Sequence, residues 1–416
     1  MKYLWIAALL AAAGAVRGQS LDANVNERYT VESVEISGIS GADQSKLDPT
    51  TRDDLSKLVG QKLNQQRLDQ IREALHRAFP GRTIGIAIRR GSQPQHVRIV
   101  FDVGGRRRRF DISAPVALYH SKLGWSGALE AAAQFGSNTA RFGIVSDGEP
   151  LVERLAGIRA GFENTKLGTD RLGLSFDFGS YHSIWEAATV EESAEASQTR
   201  LPLDIYRTRT AFEPVATVVL ARPLRLSVGA SFQQMQFQYP AARTEAANAV
   251  ITTLRYDRLL EGSGSSKHRL EAGYSLRAAT RALGSDFVYA RHTADFGYTL
   301  WLGNHKLTER FRAGGITGSA PLFERFVLGN STTLRGWNKY DLVPLGGNRV
   351  VYNSVEYRYR ALRLFYDTGA VWLAGQDAGP RHSAGAGVHF GDLALLIAFP
   401  IRKGRVEPVF IAGLNL

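Results

Sequence analysis

Cysteine is absent from the 416 residues, which excludes disulfide scaffolds, thiolate metal sites, cysteine nucleophiles and a lipid-anchored N-terminal cysteine. After the first twenty residues no stretch approaches the roughly 18 consecutive apolar residues of a membrane-crossing helix. Also missing are a Gly-x-Ser-x-Gly elbow, a His-Glu-x-x-His pair, a phosphate-binding loop and a dinucleotide fingerprint. The nine histidines are scattered without metal-ligand spacing. No catalytic residue, metal or cofactor is therefore expected, and the chain reads as a non-enzyme. With Lys+Arg 51 against Asp+Glu 39 it is moderately basic, but no face combines basic and aromatic residues, so nucleic acid is not an expected partner.

What is present points to β structure. Forty-two glycines stand beside 15 tyrosines and 20 phenylalanines, the composition of many short strands and tight turns. The length calls for two domains. Lys2, an apolar run over residues 3–16 and the small residues around Gly18 read as a signal peptide, 1–18, on an exported protein. An uncleaved N-terminal anchor is the alternative.

Residues 29–105 read as a compact β-α-α-β-β domain. Val31, Val34 and Ile36 alternate along a first strand. Asp48-Pro49 starts a short helix whose apolar face is Leu55, Leu58 and Val59. Asn64 caps a second, with Leu68, Ile71, Leu75 and Phe79 at helical spacing, stopped by Pro80-Gly81. Strands at 83–88 and 96–103 follow. From residue 106 to 416 the period becomes two: Leu172, Leu174, Phe176 and Phe178 alternate with Gly173, Ser175, Asp177 and Gly179, and similar runs recur at 224–233, 270–277 and 355–360. A packed sandwich would not tolerate the full charges on the second face, whereas a wet lumen would. Segments of roughly 9–11 residues fit tilted strands crossing a bilayer, and closure removes the edges. About sixteen strands are countable, with two connections too long for turns. The one at 186–201 is acidic and reads as a solvated loop; the other spans 321–347.

The second connection carries Leu334-Arg335-Gly336-Trp337, followed by Glu356 on a charged strand face and by Phe365-x-Asp367-x-Gly369. With the glycine-rich run from His382 to Gly387, this resembles the bacterial surface antigen family, the outer-membrane protein assembly-factor superfamily that also holds the two-partner secretion transporters. The first domain resembles that family's polypeptide-transport-associated (POTRA) domain. The resemblance implies a mainly β fold: a sixteen-stranded antiparallel transmembrane barrel in the outer membrane, preceded by one periplasmic POTRA-like domain. It implies that the loop tucks into the lumen, Arg335 meeting Asp367, Glu356 or both, while Trp337 packs on the wall. One POTRA domain, a terminal Leu416 and Trp337 in place of the commoner Phe or Tyr are departures.

Two further features are singled out. Arg106, Arg107, Arg108 and Arg109 sit where the two domains meet, as a solvated hinge or a contact for anionic lipid headgroups. Pro115 and Pro408 fall in or beside the first and last barrel strands, either as ordinary prolines at strand starts or, if both face the seam, as missing ladder donors that weaken closure. The expected function is insertion or translocation of polypeptides at the outer membrane. Unfolded chains would be captured at the POTRA strand edge and the loop would plug or gate the lumen. The expected partners are outer-membrane lipid and unfolded polypeptides, with periplasmic or lipoprotein partners unidentified. A passive channel is the alternative.

Overall fold

The computed structural model describes residues 29–39, 47–79, 82–93, 95–106, 110–198, 201–262, 266–404 and 406–414. The expected signal peptide, the Pro80-Gly81 stop and Arg107, Arg108 and Arg109 lie outside them. Two compact units make up the chain, divided between residues 108 and 109.

In the first unit a three-stranded sheet carries β1 (Thr30–Ser37), β2 (Arg82–Arg90) and β3 (His96–Arg106) in the order β1-β3-β2. The Asp48 carboxylate accepts the Thr51 amide at 2.6 Å and starts α1 (Pro49–Leu58). That amide contact is the main reason the Asp48 carboxyl sits below its ordinary pKa. Asn64 accepts the Arg67 amide and starts α2 (Gln65–Ala78). Leu55 and Leu58 of α1 and Leu68, Ile71 and Leu75 of α2 pack onto Ile99, Phe101 and Val103 of the sheet. Val59 does not share that face: it is the C-cap of α1, turned out and 48% exposed, because the chain has left the helix there and Gly60 follows at φ +79. The outer edge of β1 is occupied, since Val31 N–H donates to Gln61 and Gly60 N–H donates back to Val31. Among the described residues no other segment pairs with the outer edge of β2.

The second unit is a closed antiparallel barrel. Its strands are β4 (Phe110–His120), β5 (Gly124–Phe135), β6 (Asn138–Asp147), β7 (Arg154–Asn164), β8 (Leu172–Ile184), β9 (Tyr206–Ala221), β10 (Leu224–Phe237), β11 (Arg243–Ala246) and β12 (Ala249–Glu261). They continue with β13 (Ser266–Ala279), β14 (Val288–Leu302), β15 (His305–Ser319), β16 (Arg349–Tyr359), β17 (Leu362–Trp372), β18 (Arg381–Phe390), β19 (Leu393–Ile401) and β20 (Val409–Leu414). Both β11 and β12 pair with β10, one after the other, so they are one interrupted strand and the barrel has sixteen.

Alternation decides which way each side chain faces. Leu364 and Tyr366 of β17 point out, 44% and 43% exposed, while Phe365 and Asp367 point in and are buried. A row of phenylalanines, Phe135, Phe162, Phe176, Phe212 and Phe232, runs ring to ring around the outside. Four histidines on that face, His268, His292, His305 and His382, each bond a tyrosine hydroxyl through Nδ1.

One end of the barrel has tight turns and the other long connections. The 186–201 stretch is not simply a solvated loop. It forms α3 (Ala187–Ala196), whose small side chains Thr189 and Ser193 are buried while Glu191, Glu192 and Glu195 face out. The Thr189 hydroxyl donates to the Pro344 carbonyl, seating this helix on the long β15–β16 connection. Helical spacing puts every acid on one side, which is why an acidic stretch can still pack.

Candidate functional site

The β15–β16 connection, residues 320–348, folds back into the lumen. Gly329 and Asn330 begin a tight turn: the Asn330 side chain accepts the Thr332 and Thr333 amides, and Gly329 N–H donates to Thr333. The backbone then takes positive φ at Leu334 (+48) and Gly336 (+102), on either side of Arg335. A leucine in that region is strained and persists only where surroundings hold it; Leu334 is fully buried with Phe326, Leu328 and Tyr352. Glycine at 336 is required, because a Cβ there would lie 3.1 Å from the Phe399–Pro400 backbone of β19.

This geometry aims Arg335 at the wall. Its Nε and Nη2 donate to the two oxygens of Asp367 at 2.9 and 2.8 Å, a bidentate pair, and its own amide adds a third bond to Asp367. Nη1 donates to Glu356 at 3.0 Å and Nη2 also to the Ser354 hydroxyl. The guanidinium lies over the Phe365 ring, 3.6 Å from its centre. Arg335 is 3% exposed and Asp367 0%, so the pair is fully desolvated. Glu356 has two more cations, Arg358 and Arg363, each at 2.6 Å. The other signature residues serve this arrangement. At Gly369 a Cβ would meet Leu328 of the loop at 2.9 Å, and at Gly385 of β18 it would collide with the Phe365 ring. Trp337 packs against the wall and donates from Nε1 to the His382 carbonyl at 2.8 Å.

Leu334, Arg335, Gly336 and Trp337 thus meet Glu356, Phe365, Asp367 and Gly369 in one place. Arg106 does not belong to it: it ends β3 in the first unit.

Two further attachments had no sequence signal. Glu324, in the short 3-10 turn that opens the loop, is buried and takes Arg277 at 3.2 Å and the Tyr289 hydroxyl at 3.1 Å, while its carbonyl accepts from Arg291. On the opposite side Lys339 donates to the carbonyls of Gly148 and Leu151 in the β6–β7 connection. There the Ser331 amide bonds the Glu149 carboxylate at 2.7 Å and Tyr340 bonds Val152. Burial pushes the Lys339 ammonium down to about 8 and raises the Glu149 carboxyl, each against the pull of the other's charge. Isolated charged residues in a loop look alike in sequence whether they face solvent or a wall.

Closure of the barrel is uneven. Among the described residues β20 and β4 share three residue pairs, from Ile411↔His120 to Gly413↔Leu118, extended by one bond from Ser121 N–H to the Phe410 carbonyl, whereas β19 and β20 share six. Pro115 lies in a bulge of β4, where Ala114 and Pro115 stand opposite the single residue Leu129 of β5, and Pro408 precedes β20. The docked loop touches both sides of this seam: β16–β19 on one, the β6–β7 connection on the other.

Strands apolar outside, charged inside and closed without an edge define an integral outer-membrane barrel, here with a loop fixed in its lumen. Residues 168–406 match the model of the Omp85 superfamily domain, more than half of the chain, and the protein belongs to that superfamily. It is 28% identical over 151 residues to the outer membrane protein assembly factor BamA of Nitratidesulfovibrio vulgaris, a match covering 30% of this chain and 19% of that protein. The fold is similar to BamA from Haemophilus ducreyi lacking POTRA domains 1–3 (TM-score 0.58, 15% identity, 93% of this chain and 84% of that one). It is also similar to CdiB from Acinetobacter baumannii (TM-score 0.55, 14% identity, 93% and 74%).

Proposed function

We propose that this barrel handles polypeptides at the outer membrane, inserting or exporting them, and that release of the 320–348 loop accompanies opening between β4 and β20. The observation that carries this reading is a seam of three residue pairs among the described residues, bridged by a loop whose attachments lie on both of its sides. Among the described residues the closing strands pair over three of the six residues of β20, and the docked loop adds contacts on both sides of them. The superfamily and the likeness to BamA and CdiB support the same reading. With the N-terminal unit on the periplasmic side, its open β2 edge offers main-chain donors and acceptors to an extended client. The basic run beginning at Arg106 would then meet anionic headgroups. No group in the site is assigned a catalytic role; the work is binding and gating. The loop also argues against a passive solute pore, because it is packed on two walls: Phe323 and Leu345 on Tyr206 and Phe237, and Leu334 and Trp337 with Val350 and Tyr352.

The test combines gene deletion with a lockable seam. Deletion should remove a set of barrels, or one exported protein, from the outer-membrane and secreted proteomes. The chain contains no cysteine, so Tyr119→Cys with Ala412→Cys, a directly opposed pair, gives a single defined crosslink. The reduced double variant should restore the missing proteins and the oxidised one should not. Equal rescue by both forms would rule out seam opening, and an unchanged proteome on deletion would rule out polypeptide handling.

A further inference from the structure

Charge is not spread evenly around the lumen. On the β5–β9 wall it is compensated: Arg159 meets Glu130, Arg141 meets Glu163, and Glu213 takes Arg277 from β13. The β10–β15 wall near the tight turns is different. There a cavity of about 740 Å³ is lined by Arg225, Arg255, Arg269, Arg310 and Arg312, with Arg222 on the β9–β10 turn. Its carboxylates are Asp257, Glu271 and Asp295. Asp257 is held bidentate by Arg269 at 2.9 and 2.6 Å, Glu271 lies 3.5 Å from the same guanidinium, and Asp295 pairs with Arg312 at 2.6 Å. Arg222, Arg225, Arg255 and Arg310 make no hydrogen bond or ion pair among the described residues, and all four are exposed.

Asp257 is the carboxylate nearest to this group, but it is held by Arg269, so ion pairing within the barrel does not account for the arrangement. Arg225 and Arg255 are direct cross-strand partners on β10 and β12, and like charges so placed destabilise a sheet. The floor between them and Arg310 is glycine, at 273 and 297. A Cβ would come no nearer than 4.0 Å to any neighbour at Gly273 and 3.6 Å at Gly297, so these glycines leave room rather than relieve a clash. Thr332 and Thr333 of the docked loop line the cavity on one side and the Arg222-Pro223 turn on the other, so it faces the tight-turn end.

We propose that this arginine arc is a binding site for an acidic, extended stretch of polypeptide. The inference rests on the polypeptide-handling reading and adds a substrate class to it. The free guanidiniums decide for a polymer over a small anion. They span β10 to β15, four strand intervals or about 19 Å at the usual spacing of about 4.8 Å. One phosphate or carboxylate cannot reach across that span. An extended chain with Asp or Glu at alternate residues presents a carboxylate every ~7 Å on one face and can meet several arginines in turn. Exposed arginines in a wet lumen attract such a chain from a distance and hold each carboxylate weakly, which suits a segment that must move on.

The experiment uses the full chain in detergent micelles and labelled peptides of about 12 residues, long enough when extended to cross the arc. One alternates Asp with Ser, one Lys with Ser, and one is uncharged; binding is read by fluorescence anisotropy. The acidic peptide should bind at least about tenfold tighter than the other two, and the difference should shrink as salt rises from about 50 to about 300 mM. Arg225→Gln with Arg255→Gln should weaken it about tenfold. Arg225→Glu with Arg255→Glu should reverse the preference toward the Lys peptide, with far-UV circular dichroism unchanged. Equal binding of acidic and basic peptides, or an acidic preference surviving the charge reversal, would overturn the proposal. So would a polyphosphate of equal charge binding as tightly as the acidic peptide, because the site would then be a general polyanion site. Loss of peptide binding beside an intact deletion phenotype overturns the arginine arc alone; peptide binding beside an unchanged proteome overturns the polypeptide-handling reading instead.

Discussion

Removing the Arg335 side chain should undock the loop, and the structure says which second change will repair it. In Arg335→Met, Glu356 keeps two cations, Arg358 and Arg363. Asp367 keeps the residue 335 amide, the Ser354 hydroxyl and a long contact with Tyr352, but no cation, at zero exposure. An uncompensated buried carboxylate costs about 3–5 kcal/mol, enough to shift the docking equilibrium by a factor of roughly 150 to 5,000. Most of that cost is the stranded charge and not the lost attraction, so Asp367→Asn in the Arg335→Met background should recover about 2–3 kcal/mol. Glu356→Gln should recover nothing and instead leave Arg358 and Arg363 without their carboxylate. Hydrogen exchange over residues 321–347 of the micelle-bound chain reads docking directly. Wild-type protection in Arg335→Met would refute the argument, as would equal repair by Asp367→Asn and Glu356→Gln.

Three other outcomes follow from the same geometry. Gly336→Ala must hold φ near +102 with its new methyl 3.1 Å from the Phe399–Pro400 backbone, so it should weaken docking by roughly 1–3 kcal/mol, read by the same exchange experiment. Glu324→Gln removes the charge that meets Arg277 at 3.2 Å and Arg291 at 3.6 Å on a separate wall, while the carbonyl bond to Arg291 stays. The substitution should cost roughly 2 kcal/mol and add to Arg335→Met within about 0.5 kcal/mol, since the two attachments share no partner. Lys339 is titratable at an accessible pH. Docking lowers its pKa to about 8 from an ordinary value near 10.4, so the released loop binds more protons between those values and docking strengthens as pH rises through that window. The full effect is roughly 3 kcal/mol; protection should therefore be greater at pH ~9.5 than at pH ~7.5, and the difference should vanish in Lys339→Met.

Much of this architecture was legible in the chain itself. Alternation of Leu, Phe and Tyr with Gly, Ser and Arg is a local property of a strand, so it revealed both faces of the barrel before any pairing was known. The caps at Asp48 and Asn64 are equally local, and so is the stripe Leu68, Ile71 and Leu75. Arg335, Asp367 and Glu356 were readable because their partners lie within a few dozen residues, in an order that a family shares.

Three features depended on tertiary structure. Val59 continued an apolar pattern yet capped its helix, because a pattern does not state where the backbone turns. The acidic 186–201 stretch packed through Thr189 and Ser193, two small residues whose spacing mattered only once Pro344 lay beneath them. Lys339, Glu149 and Glu324 act through partners 33 to 191 residues distant, and the unmatched Arg225 and Arg255 became neighbours only when β10 and β12 paired. The sequence alone determined which face of each strand is wet, since that follows from neighbours along the chain. Which wet charges meet an opposite charge and which remain free was decided by barrel closure, because register alone brings distant strands to the same level.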